Sequence, residues 1–165
     1  MEVSNNIEVF TDGSYEPQVS FGAWAALIVF GGKEKMLSGT SEQSSQHKME
    51  LQAVIQSLEY IIKNYGNEMP IKLYTDSEYV ENLLSRKEKL LKNDFITKKG
   101  KNIKHTADIK QFYQLEEKLN ITITRVNSHQ KKGVSRISDQ NRRVDKFARK
   151  LVKQNRKGPQ NNSNT

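Results

Sequence analysis

Ile7-Glu8-Val9-Phe10-Thr11-Asp12-Gly13-Ser14 and Ile71-Lys72-Leu73-Tyr74-Thr75-Asp76-Ser77 are two short runs rich in β-branched and aromatic residues, and both stop at Thr-Asp. Small residues suited to a turn or a helix start follow each run, so each reads as a strand, the first over residues 7–12. Aspartate has poor strand propensity, and its place at the end of two apolar runs needs a reason. If the two strands are neighbours in one sheet, both carboxylates emerge at the same edge. Adjacent strands lie about 5 Å apart, which holds two negative charges in mutual repulsion unless a cation sits between them. That describes a divalent-metal site.

Outward from these runs the chain alternates elements. Phe21 to Phe30 is apolar, turns at Gly31-Gly32 and returns through Lys33 to Ser41 as an antiparallel pair would. Gln46 to Tyr65 carries Met49, Ala53, Val54, Leu58, Ile61 and Ile62 at helical spacing, after Ser44-Ser45 as capping candidates. Ser77 caps a helix with Val80, Leu83 and Leu84. A basic segment runs from Arg86 to Lys110, and at its end begins a helix with Ile109, Phe112, Leu115 and Leu119 on one side. Ile121 to Val126 alternates as a strand, Asn127 to Gln140 reads as a polar loop, and a last helix starts at about Asn141. That helix is expected to turn Val144, Phe147, Ala148, Leu151 and Val152 inward. The order βββαβα, a basic excursion, then αβα predicts an α/β domain with a mixed sheet flanked by helices. Residues 1–156 read as one domain and 157–165, rich in Asn, Gln and Ser, as a disordered polar tail.

The bulk properties narrow the setting. A chain of 165 residues holds one domain with a real core. Without cysteine, neither a disulfide framework nor a thiolate zinc site is available. No stretch approaches the roughly 18 apolar residues of a membrane span, and the N-terminus lacks a signal-peptide layout, so the expected location is cytoplasmic. The net charge of +8, from 27 basic and 19 acidic residues, favours a polyanionic partner such as nucleic acid.

Two more carboxylates complete a set. Glu50, in Lys48-Met49-Glu50-Leu51, lies in the second turn of the first long helix; Asp145 lies near the start of the last. Both neighbour core-facing residues. Taken singly, Glu50 is also explained as an early-turn acid favoured by the helix dipole, and Asp145 as a surface acid paired with a nearby base.

The quartet Asp12, Glu50, Asp76 and Asp145 resembles the acidic tetrad of the type 1 ribonuclease H family, which includes the bacterial ribonuclease HI group and retroviral RNase H domains. Supporting motifs are Phe10-Thr11-Asp12-Gly13-Ser14, Met49-Glu50-Leu51 with Ala53, Tyr74-Thr75-Asp76-Ser77 with Tyr79-Val80, and Ser128-His129 ahead of Asn141, Val144-Asp145 and Ala148. The likeness covers about residues 5–153. It implies a ribonuclease H-like fold: a five-stranded mixed sheet, three antiparallel strands then two parallel, with flanking helices and a basic protrusion. It also implies hydrolysis of the RNA strand of an RNA–DNA hybrid, read through 2′-hydroxyls with weak sequence preference. The hybrid is the expected partner and a monomer the expected state.

By that resemblance two divalent ions serve one active site. Oxygen-only ligands suit Mg²⁺, with Mn²⁺ as substitute, rather than zinc. Asp12 is expected to bridge both ions, Glu50 and Asp76 to complete the leaving-group metal, and Asp145 the metal that activates water. The products are a 3′-hydroxyl and a 5′-phosphate. His129 corresponds to a family histidine that assists proton transfer or product release, against the plain reading of a solvated loop histidine.

The Arg86–Lys110 segment holds nine basic residues against Glu88, Asp94 and Asp108. Charge runs are commonly solvated faces. Beside a nuclease centre, Lys92, Lys98, Lys99, Lys101 and Lys104 are expected to grip phosphates, with Phe95 the segment's aromatic. Gly13, Ser14, Ser45, Gln46, His47 and Asn141 are carried over as substrate contacts; for the serine pair 44–45, capping is an equal reading. Two other classes stay open: a strand-transfer nuclease on the same fold, and a non-catalytic hybrid binder, for which four acids facing phosphates would be a handicap.

Overall fold

A computed structural model of the chain describes residues 5–127 and 132–157. Five strands form one sheet: β1 (Ile7–Glu16), β2 (Phe21–Phe30), β3 (Lys33–Glu42), β4 (Ile71–Thr75) and β5 (Ile121–Arg125), in the order β3-β2-β1-β4-β5. The pairs β1–β2 and β2–β3 are antiparallel, whereas β1–β4 and β4–β5 are parallel. Three antiparallel strands followed by two parallel ones match the expected sheet.

The first strand does not stop at Asp12 as its composition suggests; it runs on to Glu16. The reason is its partner. β2 is ten residues long and pairs with β1 from Glu8 to Glu16, so Asp12 sits opposite Ala25 and its backbone has a ladder to join. On the other side, the five-residue β4 pairs with β1 only as far as Thr11. Asp12 therefore stands where the sheet opens on one side and continues on the other.

Alternation divides the strands between two layers. Ile7, Val9, Ile28, Ile71 and Leu73 face α1 (Gln46–Tyr65), α2 (Glu78–Ser85) and α4 (Thr106–Lys118), forming the larger core with Leu51, Val54, Leu58, Val80, Leu83, Ile109 and Phe112. Phe10, Ala25, Leu27 and Tyr74 face α5 (Arg136–Lys157) and pack with Val144 and Ala148. The Phe10 and Tyr74 rings stack at 5.0 Å across the parallel pair.

The helix ends obey the expected chemistry with one exception. Ser45 caps α1, accepting from Lys48 N at 3.1 Å, and Ser77 caps α2, accepting from Val80 N at 3.1 Å. Helix α5, however, begins at Arg136 rather than about Asn141. Ser135 and Ser138 cap it reciprocally: Ser138 N donates to Ser135 Oγ at 3.0 Å and Ser135 N to Ser138 Oγ at 3.2 Å. Asp145 thus lies in the third turn, not near the start. Phe147, expected inward, is 37% exposed, because the sheet-facing stripe is Asn141, Val144, Ala148 and Val152.

The basic segment contains α3 (Lys87–Lys92) and a loop closed by the Ile96–Asn102 bridge. Its aromatic is not presented to solvent: Phe95 is buried against Tyr113, with Lys110 Nζ 5.1 Å from its ring centre. Among the described residues no helix is long and apolar enough to cross a membrane. Helix α5 runs one residue past the expected domain end; residues 158–165 of the expected tail lie outside the described residues.

Candidate active site

The site is built where β1 leaves β4. Asp12 is 4% exposed, and Gly13 N donates to its Oδ1 at 2.8 Å. Burial, then the charge of Asp76, then a hydrogen bond and charge from Asp145 push the Asp12 carboxyl up from 3.8 to about 9, against the opposing pull of the Gly13 N–H. A hydrogen bond between two carboxyl groups needs a proton on one of them. Asp145 thus stands near Asp12, and burial with the neighbouring acids favours the protonated form of the Asp12 carboxyl.

Asp145 comes from α5 and is half-buried; its Oδ1 also pairs with Arg149 Nε at 3.1 Å, one turn on. Asp76 follows the last residue of β4, flanked by two tied hydroxyls, since Ser77 N donates to Thr75 Oγ1 at 3.1 Å. Sheet pairing and α5 packing thus bring three acids together from positions 12, 76 and 145.

Glu50 belongs to the same edge but is held differently. Its carboxylate accepts from Ser77 Oγ at 2.5 Å and from Gln46 Nε2 at 3.1 Å. Gln46 Nε2 also donates to Gly13 O at 2.7 Å, tying the first turn of α1 to the strand of Asp12. The two backbones nearly touch here: a Cβ on Gly13 would lie 2.5 Å from Glu50 N and 2.7 Å from Met49 C. Only glycine permits that approach.

Among the described residues, no three of these side chains converge closely enough to enclose an ion. The donor chemistry nonetheless fits a hard divalent cation. All candidate donors are oxygens, and the acids near the buried Asp12 carboxyl make a place that positive charge favours.

The remaining sequence-predicted residues divide. Gly13 is a packing glycine. Ser14 is half-buried on β1, and Ser45 is the α1 cap. Gln46 orients Glu50. His47 is exposed and lies flat on Tyr79, with ring centres 4.2 Å apart. Asn141 is buried at 4% exposure, one turn before Asp145, and its Oδ1 has no partner among the described residues. Lys92, Lys98, Lys99, Lys101 and Lys104 are exposed on the basic segment. His129 lies outside the described residues.

Sequence reasoning missed three residues. Ser77 was read as a cap alone, yet its hydroxyl also donates to Glu50; a Ser directly after a candidate ligand was the available signal. His105 approaches Ser45 Oγ at 3.3 Å from a left-handed backbone (φ 63°) at the start of α4, and burial lowers its pKa. Nothing in its sequence neighbourhood marked it. Tyr79 carries a buried hydroxyl without a partner among the described residues, and burial pushes its pKa up to about 12.

Comparison with known proteins agrees with this geometry. A family model described as RNase H matches residues 4–153. The chain is 30% identical over 152 residues to the ribonuclease H of Prosthecochloris aestuarii, spanning 91% of this chain and 97% of that one. Among solved structures, the solution structure of the PFV RNase H domain superposes with a TM-score of 0.70 at 22% identity, over 88% of this chain and 93% of that one. A foamy viral protease-reverse transcriptase, solved in complex with RNA/DNA hybrid, superposes with a TM-score of 0.72 at 18% identity, over 88% of this chain and 20% of that one.

Proposed function

The chain belongs to the RNase H family, and from that premise we propose that it hydrolyses the RNA strand of RNA–DNA hybrids, leaving a 3′-hydroxyl and a 5′-phosphate. The observation that carries the reading is that Asp76 and Asp145 each come near enough to Asp12, at the open end of β1, to oppose its ionisation, while Glu50 bonds to Ser77 beside Asp76.

Asp12, Glu50, Asp76 and Asp145 would hold divalent ions, Mg²⁺ or Mn²⁺, which when bound would supply an activated water and charge stabilisation at the leaving oxygen. The protein's own groups do the rest. Burial and the neighbouring acids favour the neutral form of Asp12, which would have to ionise in order to hold a divalent ion. Gln46 fixes Glu50 against the Gly13 carbonyl, which sets the spacing between α1 and β1. Lys92, Lys98, Lys99, Lys101 and Lys104, all exposed, would take phosphates of the bound duplex. His129 is assigned the proton-transfer or release step on the resemblance alone.

Recognition of a hybrid asks for 2′-hydroxyls on one strand and deoxyriboses on the other, and base edges play little part. Matched RNA–DNA, RNA–RNA and DNA–DNA duplexes, incubated with Mg²⁺, Mn²⁺ or EDTA and followed by analysis of product ends, test the proposal. Cleavage of the hybrid's RNA strand alone, in metal alone, is expected. Equal cleavage of DNA–DNA, or activity in EDTA, would overturn it.

A further inference from the structure

Helix α5 carries more charge of one sign than its role in the site requires. Over its 22 residues it has nine basic side chains against Asp139 and Asp145. Its buried stripe, Asn141, Val144, Ala148 and Val152, packs on β1 and β2. The opposite stripe is Arg143, Lys146, Phe147, Lys150 and Lys153, all exposed and at helical spacing. Arg143 is held by Glu34, with Nη2–Oε2 at 2.9 Å and Nη1–Oε1 at 3.1 Å. Lys146, Lys150 and Lys153 have no side-chain partner among the described residues.

A helix face that serves only solubility commonly interleaves acids at i+4, where they stabilise it. Asp139 stands four residues before Arg143 at the start of this face, but none of Lys146, Lys150 and Lys153 has an acid at i−4 or i+4, and Lys146 and Lys150 face each other at i,i+4, a like-charge arrangement that costs the helix stability. An anionic partner relieves that cost. Phe147, 37% exposed in the middle of the cations, adds a second requirement. A duplex keeps its base faces stacked inside and offers an exposed ring nothing to stack on. A single strand offers both phosphates and free base faces.

We infer that the outward face of α5 is a binding surface for single-stranded nucleic acid, on the sheet layer opposite the basic segment of residues 86–110. The stripe spans about 15 Å from Arg143 to Lys153, which suits a few nucleotides laid along the helix. It would hold an unpaired strand independently of the hybrid-cleaving edge, so the inference does not depend on the proposed cleavage.

The test uses the full chain in EDTA with fluorescent oligo-dT and oligo-rU, reading anisotropy across a salt series. A combined Lys146→Gln, Lys150→Gln, Lys153→Gln variant should bind at least about tenfold more weakly, with a log–log salt slope shallower by about 2, near 0.7 per lost phosphate contact. Phe147→Ser should bind about fivefold more weakly at an unchanged slope. In Mg²⁺, kcat/KM on a short blunt hybrid should stay within twofold for both variants, whatever that basal value is. Unchanged single-strand affinity and slope in the lysine variant would overturn the inference. So would a parallel loss of blunt-hybrid binding, which would make the stripe part of the duplex site. Wild-type affinity in Phe147→Ser beside a weakened lysine variant would overturn the single-strand assignment.

Discussion

Asp12 and Glu50 lie on elements that nearly touch, yet the protein treats them in opposite ways. Asp12 is almost wholly buried, beside two other acids, and among the described residues the backbone donor that reaches it is Gly13 N. Glu50 is half-exposed and accepts from two side chains, Ser77 and Gln46. On one side of the site acids crowd around a buried carboxyl whose ionisation they oppose; on the other a carboxylate is satisfied by neutral donors. The difference teaches which acid pays for function in stability and which does not: removing charge at Asp12 relieves the fold, whereas removing it at Glu50 takes away hydrogen bonds.

The largest effect is expected at Asp12. Asp12→Asn should lower hybrid cleavage by at least about a thousandfold while raising stability in the absence of metal. Below about pH 4 the carboxyl is protonated in both folded and unfolded chains and contributes no difference. Between its ordinary 3.8 and about 9, the folded chain keeps a proton that the unfolded chain has released, so wild-type stability falls as pH rises through that window. The stabilisation by Asn should therefore be near zero at pH 4 and grow steadily toward pH 8, each pH unit inside that window being worth up to about 1.4 kcal/mol. Urea unfolding in EDTA at several pH values measures it. A variant less stable than wild type at pH 8 would break the contrast.

Glu50→Gln sharpens the same comparison. Cleavage should again be lost, but the amide is a weaker acceptor for Ser77 and Gln46, so stability should fall by about 1 kcal/mol. Opposite signs of stability change in two equally inactive variants, measured under one set of conditions, are what the two environments require. Stabilisation of both would mean that Glu50 shares the crowding felt by the other acids.

Gly13 joins the two sides, and its substitution should be next in size. In Gly13→Ala the new methyl meets backbone atoms of Met49 and Glu50, which cannot yield without moving α1, and about 2 kcal/mol of stability should be lost. A shift of α1 displaces Glu50, so activity should drop by about a hundredfold. Gly22→Ala is the control. Its methyl meets the Met49 side chain, Cγ at 2.6 Å and Sδ at 3.0 Å, and backbone only at Ser14 O, 3.3 Å away; a side chain yields more readily than the backbone facing Gly13, so the loss in thermal and kinetic assays should be smaller.

Much of this edge was legible before any coordinates because it rests on local signals. Two Thr-Asp strand ends, a Gly31-Gly32 turn and serine caps at positions 45 and 77 each act within a few residues. The parts that were misread depend on partners far along the chain. Strand β1 runs past Asp12 because β2 is long enough to pair with it, and no property of residues 13–16 announces that. Helix α5 starts early through the reciprocal Ser135–Ser138 caps, a pair that looks like loop composition. Phe147 faces outward because one turn of added helix fixes which stripe meets Phe10 and Tyr74, and hydrophobicity alone assigned it to the wrong side. The need for glycine at position 13 also comes from a distant element, since its lack of a side chain serves the approach of α1.

The smallest expected effect tests whether Ser77 is a cap, a clamp or both. Its hydroxyl accepts from Val80 N and donates to Glu50, the two bonds using different parts of one oxygen. Ser77→Ala removes both, and about 1 kcal/mol of stability should go with the cap. Glu50 would then keep only Gln46, so kcat should fall by about fivefold through looser placement rather than lost chemistry. Ser77→Thr retains the hydroxyl at the same position and should restore activity and most of the stability. If Ala lowers stability while activity stays at the wild-type level, the donor to Glu50 is incidental, and Gln46 alone distinguishes the satisfied side of the site from the strained one.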